Sequence, residues 1–447
     1  MSKHVDLLNG KIWKQILVFF FPILIGTFFQ QLYNTVDTII VGQYLGTHAL
    51  AAVGSTGNIS NLIINFFVGL SSGASVVIAH YYGAKEYDHV SDCVHTGICI
   101  AFISGIIMMI FGTLFSKQCL TLIGVPADII ADASLYMRIF FFSMIPGCIY
   151  NIGAGILRAV GDSKTPLYYL IVCSIINVVF DYILIVPIPL GVAGAALATA
   201  LAQTVCALLV FVKLMKSHEC YKLNIKEIGI KKYILKKILK IGIPAGIQSN
   251  MYAISNVILQ SRVNSFGTLI IASWSVLGKI DSLYWMISGA FGVAITTFVG
   301  QNYGAGLYNR VKKGVKSAMV MNMMVAFMFS IIMYMFGQYI CLLFSNDMNL
   351  IQEVVKMIRF LSPYYFTFVC VEIFTGTMRA CGESFKPLVV TGTGICLLRV
   401  LWVTLVSVHF ESFDMIMISY PITWIVTSLM FIIYYHYFKD KKLKETL

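Results

Sequence analysis

Four carboxylates lie well within long apolar stretches of the chain, not at their very ends: Asp37, Asp181, Asp281 and Glu372. In a bilayer such a group costs at least about 2.5 kcal/mol to insert, so each marks a site for a proton, an ion or a ligand by default. Asn177 precedes Asp181 by four residues, which puts both side chains on one helix face about 6 Å apart. Asp37 and Asp181 fall near the same end of their stretches, with Tyr136 about one turn and Thr199 about two turns in from that end. Such hard oxygens can hold Na⁺, with Asp37, Asn177, Asp181 and Thr199 as ligands, or can hold a proton on a buried carboxyl. Interhelical hydrogen bonding would account for Thr199 or Tyr136 alone. It accounts less well for two carboxylates with no basic neighbour, because like charges in low dielectric repel unless a cation or proton joins them.

The second half of the chain is different. Lys279, Asp281, Glu372 and Arg399 are of mixed sign, so they either neutralise one another as structural pairs or contact a substrate. Pro22 removes a backbone hydrogen bond 15 residues before Asp37, which favours a bend in that helix. The 11 Cys show no CxxC spacing, and most act as small apolar residues. No phosphate-cradling GxxxxGKS/T and no GxSxG occurs, and no nucleophile is paired with a base inside an apolar stretch. An enzyme, an ATP-driven pump and a bound cofactor are therefore not expected. Energy has to come from elsewhere.

The elements that position these groups are transmembrane helices. Of the 447 residues 58% are hydrophobic and 12% charged, at a mean hydropathy of +0.83, which excludes a soluble globular protein. About twelve stretches are long enough to cross a hydrocarbon core of roughly 30 Å: approximately 15–41, 53–80, 93–115, 132–156, 166–186, 192–214, 238–262, 269–299, 315–337, 351–377, 387–409 and 414–437. The first runs past the length of a cleaved signal and lacks a small-residue cleavage site. With both termini placed in the cytoplasm, 25 of the 32 Lys and Arg fall on the cytoplasmic side, nine of them between Lys213 and Lys240. The net charge of +12 is thus a record of topology, and no nucleic-acid partner is implied.

The chain is also duplicated. At an offset of 221 residues, Tyr82-Gly83-Ala84 repeats as Tyr303-Gly304-Ala305 and Arg138 as Arg359. Arg158-Ala159-Val160-Gly161-Asp162-Ser163 repeats as Arg379-Ala380-Cys381-Gly382-Glu383-Ser384, and Pro22 matches Pro244 with one residue of slippage. Two parallel six-helix lobes follow, residues 1–214 and 238–447, joined by a cytoplasmic linker at 215–237. The repeated loops read as structural hinges with glycine at tight turns.

Gln30-Gln31-Leu32-Tyr33, Val36-Asp37-Thr38, Val41-Gly42, Leu45-Gly46, Ala49 to Gly54, Gly69-Leu70 with Gly73, Tyr82 to Lys85 and the two Arg-Ala-x-Gly-acid loops resemble the multidrug and toxic compound extrusion (MATE) family. The resemblance runs over nearly the whole chain. It implies an all-α membrane protein of two six-helix lobes in the bacterial plasma membrane. Such a protein would act as a monomeric antiporter, exporting small organic, mostly cationic compounds in exchange for H⁺ or Na⁺. It also implies a cation site at Asp37, Tyr136, Asn177, Asp181 and Thr199 and a first helix that bends at Pro22. Span 7 carries no acidic residue, unlike the Na⁺-coupled NorM-like branch, which places the chain nearer the DinF-like branch. A flippase for a lipid-linked precursor is the alternative on a related fold, although its cleft would be cationic rather than acidic.

Overall fold

The computed structural model describes residues 5–410 and 412–443. Every regular element among them is helical, as a bilayer requires of any segment whose backbone N–H and C=O groups must be satisfied without water. In the first half these are α1 (Ile12–Gly83), α2 (Tyr87–Leu122), α3 (Ile130–Phe142), α4 (Met144–Ala159), α5 (Lys164–Ile185) and α6 (Val192–Met215). The second half has α7 (Lys232–Val263), α8 (Thr268–Gly304), α9 (Tyr308–Cys341), α10 (Met348–Leu361) and α11 (Tyr365–Ala380). After them come α12 (Phe385–Thr391), α13 (Leu398–Leu401), α14 (Ser407–Phe410) and α15 (Phe413–Lys442).

Against the twelve expected spans, nine helices among the described residues are long and apolar enough to cross a membrane, ten with the bent pair α3 and α4 taken as one, and α7, at the place of span 7, is not among them. Spans 1 and 2 are one 72-residue helix, α1, interrupted at Gly46, whose φ of 81° and ψ of −177° suit a residue without Cβ. At 1.5 Å per residue α1 is far longer than a hydrocarbon core, so the break makes it two crossings. Span 4 is α3 and α4, bent by 45° at Ser143. Span 10 is α10 and α11, separated by a 3₁₀ turn at Ser362–Tyr364 that contains Pro363. Span 11 runs through α12, α13 and α14 with π-helical segments at Gly392–Leu397 and Trp402–Val406 between them.

The repeated loops terminate helices. Gly161 and Gly382 have φ of 94° and 83° just after α4 and α11, the usual left-handed stop for a helix. In the first copy Asp162 then caps α5, accepting from the Thr165 backbone N–H at 2.9 Å and its hydroxyl at 2.6 Å.

The described residues form two compact units. One comprises residues 5–6 and Phe21–Gly246, the other Leu7–Phe20 and residues 247–443. By packing, the first turns of α1 therefore belong with the second half of the sequence, and the first turns of α7 with the first half. In the first unit Gly69 and Gly73 of α1 lie on the backbone of α7. A Cβ on Gly73 would stand 2.6 Å from the Ile238 carbonyl, and one on Gly69 would collide with Gly246. Two GxxxG pairs, Gly69/Gly73 and Gly242/Gly246, thus let the helices touch backbone to backbone. In the second unit Phe20 of α1 stacks on Phe291 of α8 at 4.1 Å.

Candidate functional site

In the first unit α1 packs along α5: the Gly26 backbone meets Leu167 and Leu170, and the Tyr44 ring meets Tyr182 edge-on at 6.2 Å. That register brings Asp37 opposite Asp181. The alanines Ala195, Ala196 and Ala198 of α6 are fully buried, so α6 approaches closely enough for Thr199 to reach Asn177, whose amide donates to the Thr199 hydroxyl at 3.5 Å. Tyr136 of α3, 7% exposed, stands within electrostatic reach of both carboxylates. All five residues expected at the site are thereby gathered from α1, α3, α5 and α6.

The polar accounting at this point is incomplete. Asp181 is 0% exposed and Asn177 1%. The Asp37 and Asp181 carboxyls meet each other, acceptor against acceptor. No N–H or O–H of a described residue donates to Asp37 Oδ1, Asn177 Oδ1 or either oxygen of Asp181, all four of them buried. Buried polar atoms are almost always hydrogen-bonded. Four converging lone acceptors, two of them on paired carboxyls, therefore call for something positive: a proton between the carboxyls or a small cation among the oxygens. The donor set is oxygen only, which fits Na⁺ and does not fit a soft transition metal. Among the described residues no three His, Cys, Asp or Glu gather as a metal cluster.

Tyr33 stands beside the site. It lies on α1 one turn before Asp37, within electrostatic reach of both Asp37 and Tyr136. Its i, i+4 spacing from Asp37 was the signal available for it in the sequence. Pro22 sits in helical backbone, since the one break inside α1 is at Gly46.

The charged residues of the second half are held apart. Among the described residues no ion pair joins Lys279, Asp281, Glu372 and Arg399 to one another. Lys279 is exposed. Asp281 accepts from the Tyr365 hydroxyl, and Tyr365 stacks on Tyr284 and packs against Trp285 and Trp424. The Glu372 carboxyl lies against Gly292, where a Cβ would displace it. Arg399, 4% exposed, donates to the Thr423 hydroxyl at 2.9 Å and lies 4.1 Å over the Tyr420 ring, while its Nε has no partner. Gln248 links Arg379, which donates to it at 2.8 Å, with the Thr391 hydroxyl, to which it donates at 2.9 Å. Neither Tyr365 nor Gln248 was foreseeable, since each contact joins residues more than 80 positions apart in sequence.

Against known families, the MatE family model matches the chain twice, over residues 22–183 and again over 244–404. The chain belongs to the MATE family. The two matches start 222 residues apart, as Pro22 and Pro244 do, so the duplication seen in the sequence is that of the MATE repeat. Members of this family are transporters, and the chain is not an enzyme. It is 28% identical over 440 residues to the probable multidrug resistance protein YoeA of Bacillus subtilis, covering 96% of this chain and 95% of that one. To the multidrug export protein MepA of Staphylococcus aureus it is 25% identical over 385 residues, 84% of this chain and 83% of MepA. Among solved structures, MATE in its bent conformation superposes over 98% of both chains with a TM-score of 0.92 at 23% identity. An outward-facing MATE multidrug-resistance transporter of the MOP superfamily covers 100% of both, also at 0.92 and 23%. These two likenesses concern the MATE fold.

Proposed function

We propose that this MATE protein is a secondary antiporter of the bacterial plasma membrane, with both termini in the cytoplasm. It expels small organic, mostly cationic compounds in exchange for H⁺ or Na⁺ bound at Asp37, Asp181, Asn177, Thr199 and Tyr136. The observation that carries the reading is the set of four buried acceptor oxygens without a donor. An unneutralised pair of carboxyls attracts an organic cation, and a proton or Na⁺ arriving from outside removes that attraction. The ion drives export only through its different affinity for the two states of the transporter, and the same coupling makes substrate binding expel the ion. The naming of YoeA as a probable multidrug resistance protein and of MepA as a multidrug export protein supports drug export as the activity.

The test is dye efflux from everted vesicles under separately imposed pH and Na⁺ gradients, comparing wild type with Asp37→Asn. The gradient that drives wild-type efflux identifies the ion, and the variant is expected to reach the membrane and lose gradient-driven efflux. Normal efflux by Asp37→Asn would remove the coupling role. If neither gradient drives any substrate, the lipid-linked precursor flippase becomes the better reading.

A further inference from the structure

The internal repeat provides a control for the polar ends of the helices. At the start of α2, His89, Asp92 and Thr96 face the start of α7. The Tyr233 hydroxyl donates to Asp92 and lies 3.1 Å from His89 Nδ1. Lys231 pairs with Asp92 at 3.9 Å, and its backbone N–H donates to the Thr96 hydroxyl at 3.2 Å. Asp92 thus sits between Lys231 and the Tyr233 hydroxyl, and Glu86 lies 3.8 Å from His89.

Moved on by 221 positions, the same three residues are Arg310, Lys313 and Ser317 of α9. With the slippage that aligns Pro22 with Pro244, the place of Tyr233 is taken by Lys11. The carboxylate has become a lysine, and the tyrosine has become a second lysine. The second copy has a cavity of about 560 Å³, lined among others by Lys11, Trp13, Gly306, Arg310, Lys313 and Ser317. Arg310 is already engaged, donating to the Gly10 carbonyl at 3.0 Å, to the Leu7 carbonyl at 3.4 Å and to the Gln15 side chain. Lys11 and Lys313 form no ion pair with any described residue.

We propose that this cavity binds the phosphodiester headgroup of an anionic phospholipid. Two ammonium groups facing one pocket repel each other, and the anion that Asp92 supplies in the first copy has to come from outside the chain in the second. Basic pockets beside membrane helices hold anionic headgroups in this way. Two features select a lipid over a soluble phosphate. Trp13, 53% exposed at the rim, is the amphipathic ring favoured at the membrane interface. From Ser317 an exposed apolar stripe, Val320, Met324 and Met328, runs along α9 at helical spacing and gives an acyl chain a surface to follow.

The test is native mass spectrometry of the purified, full-length protein titrated with phosphatidylglycerol or phosphatidylcholine, with inorganic phosphate as competitor. Wild type is expected to retain phosphatidylglycerol preferentially. Lys11→Gln/Lys313→Gln is expected to bind it roughly 25-fold more weakly, about fivefold per lysine removed. The control Lys312→Gln/Lys316→Gln, equal in charge and on the same helix but outside the lining, should stay within about twofold of wild type, and Lys11→Arg/Lys313→Arg should retain the lipid. Equal weakening in the two glutamine variants would reduce the effect to diffuse surface charge and overturn the site. Full displacement of the lipid by inorganic phosphate, or no preference over phosphatidylcholine, would overturn the lipid assignment. Circular dichroism of each variant separates lost binding from lost folding.

Discussion

Pro22 of α1 and Pro244 of α7 occupy equivalent positions in the two MATE repeats. Each lies within two residues of the point where its helix passes from one compact unit to the other, Phe20 to Phe21 and Gly246 to Ile247. A proline inside a helix has no N–H for the carbonyl four residues earlier, here those of Val18 and Lys240. The helical ladder is therefore weakest where packing changes partners, and that is where a bend costs least. Asp37 is four turns further along α1, so its charge state and the bend lie on one continuous rod.

Restoring the missing hydrogen bond should stiffen this point. Pro22→Ala is expected to melt no lower than wild type in the same detergent, since alanine is favoured over proline by about 3 kcal/mol in a helix interior, while its efflux rate falls several-fold. Thermal unfolding and vesicle efflux on the same preparations check both halves. Unchanged turnover would show that the proline is a static feature.

Much of this architecture was legible in composition and spacing. Apolar length marks the crossings, and the 221-residue offset marks the duplication because Arg, Gly and Pro are scarce in such a chain. The depth of Asp37, Tyr136, Asn177, Asp181 and Thr199 pointed to one place before any packing was known. What stayed hidden depends on φ/ψ or on distant partners. A continuous α1 broken at Gly46 reads in sequence as two helices and a loop, and a π-segment has the composition of an α-helix. The mixed charges of the second half suggested mutual neutralisation or contact with a substrate. The fold gives Asp281 to Tyr365 and lays Arg399 on Tyr420, satisfying each from a neighbour that charge matching does not find.

The carboxyl pair makes a stability prediction that is independent of transport. Asp181 is fully buried beside Asp37 without a donor, so replacing one acceptor by an amide supplies the missing hydrogen and removes a charge. Asp181→Asn is expected to raise the melting temperature by a few degrees, consistent with a gain of about 1–3 kcal/mol for satisfying a buried polar group, and to abolish ion-driven efflux. If Na⁺ is the coupling ion, added Na⁺ should stabilise wild type and leave the variant unchanged. A variant that is both destabilised and active would contradict the proposed pairing.

The contact between Gly73 of α1 and Gly242 of α7 leaves no room for a side chain, with a Cβ on Gly73 placed 2.7 Å from the Gly242 backbone N. Gly73→Val must push the helices apart or strain them, at about 1–3 kcal/mol by analogy with overpacked cores. A lower melting temperature and loss of efflux are expected, whereas the same change at Gly57, where a Cβ meets nothing within 4 Å, should cost less than half as much. Equal effects at the two positions would mean that helix propensity, rather than this crossing, sets the penalty.

Arg399 lies between two π-helical segments with no carboxylate of a described residue within ion-pair distance, so its charge rests on the Tyr420 face and the Thr423 hydroxyl. Desolvated cation–π contacts reach about 2 kcal/mol, and a planar guanidinium makes that contact while donating in its plane, which an ammonium cannot. Tyr420→Leu is therefore expected to lower the melting temperature in the wild-type background and to have little effect in an Arg399→Met background. Arg399→Lys should recover only part of the coupling. The double-mutant cycle, read by thermal unfolding, should return an interaction of about 1–2 kcal/mol. If the two substitutions add independently, Tyr420 is not what holds this cation, and its stabilisation must come from elsewhere in the second unit.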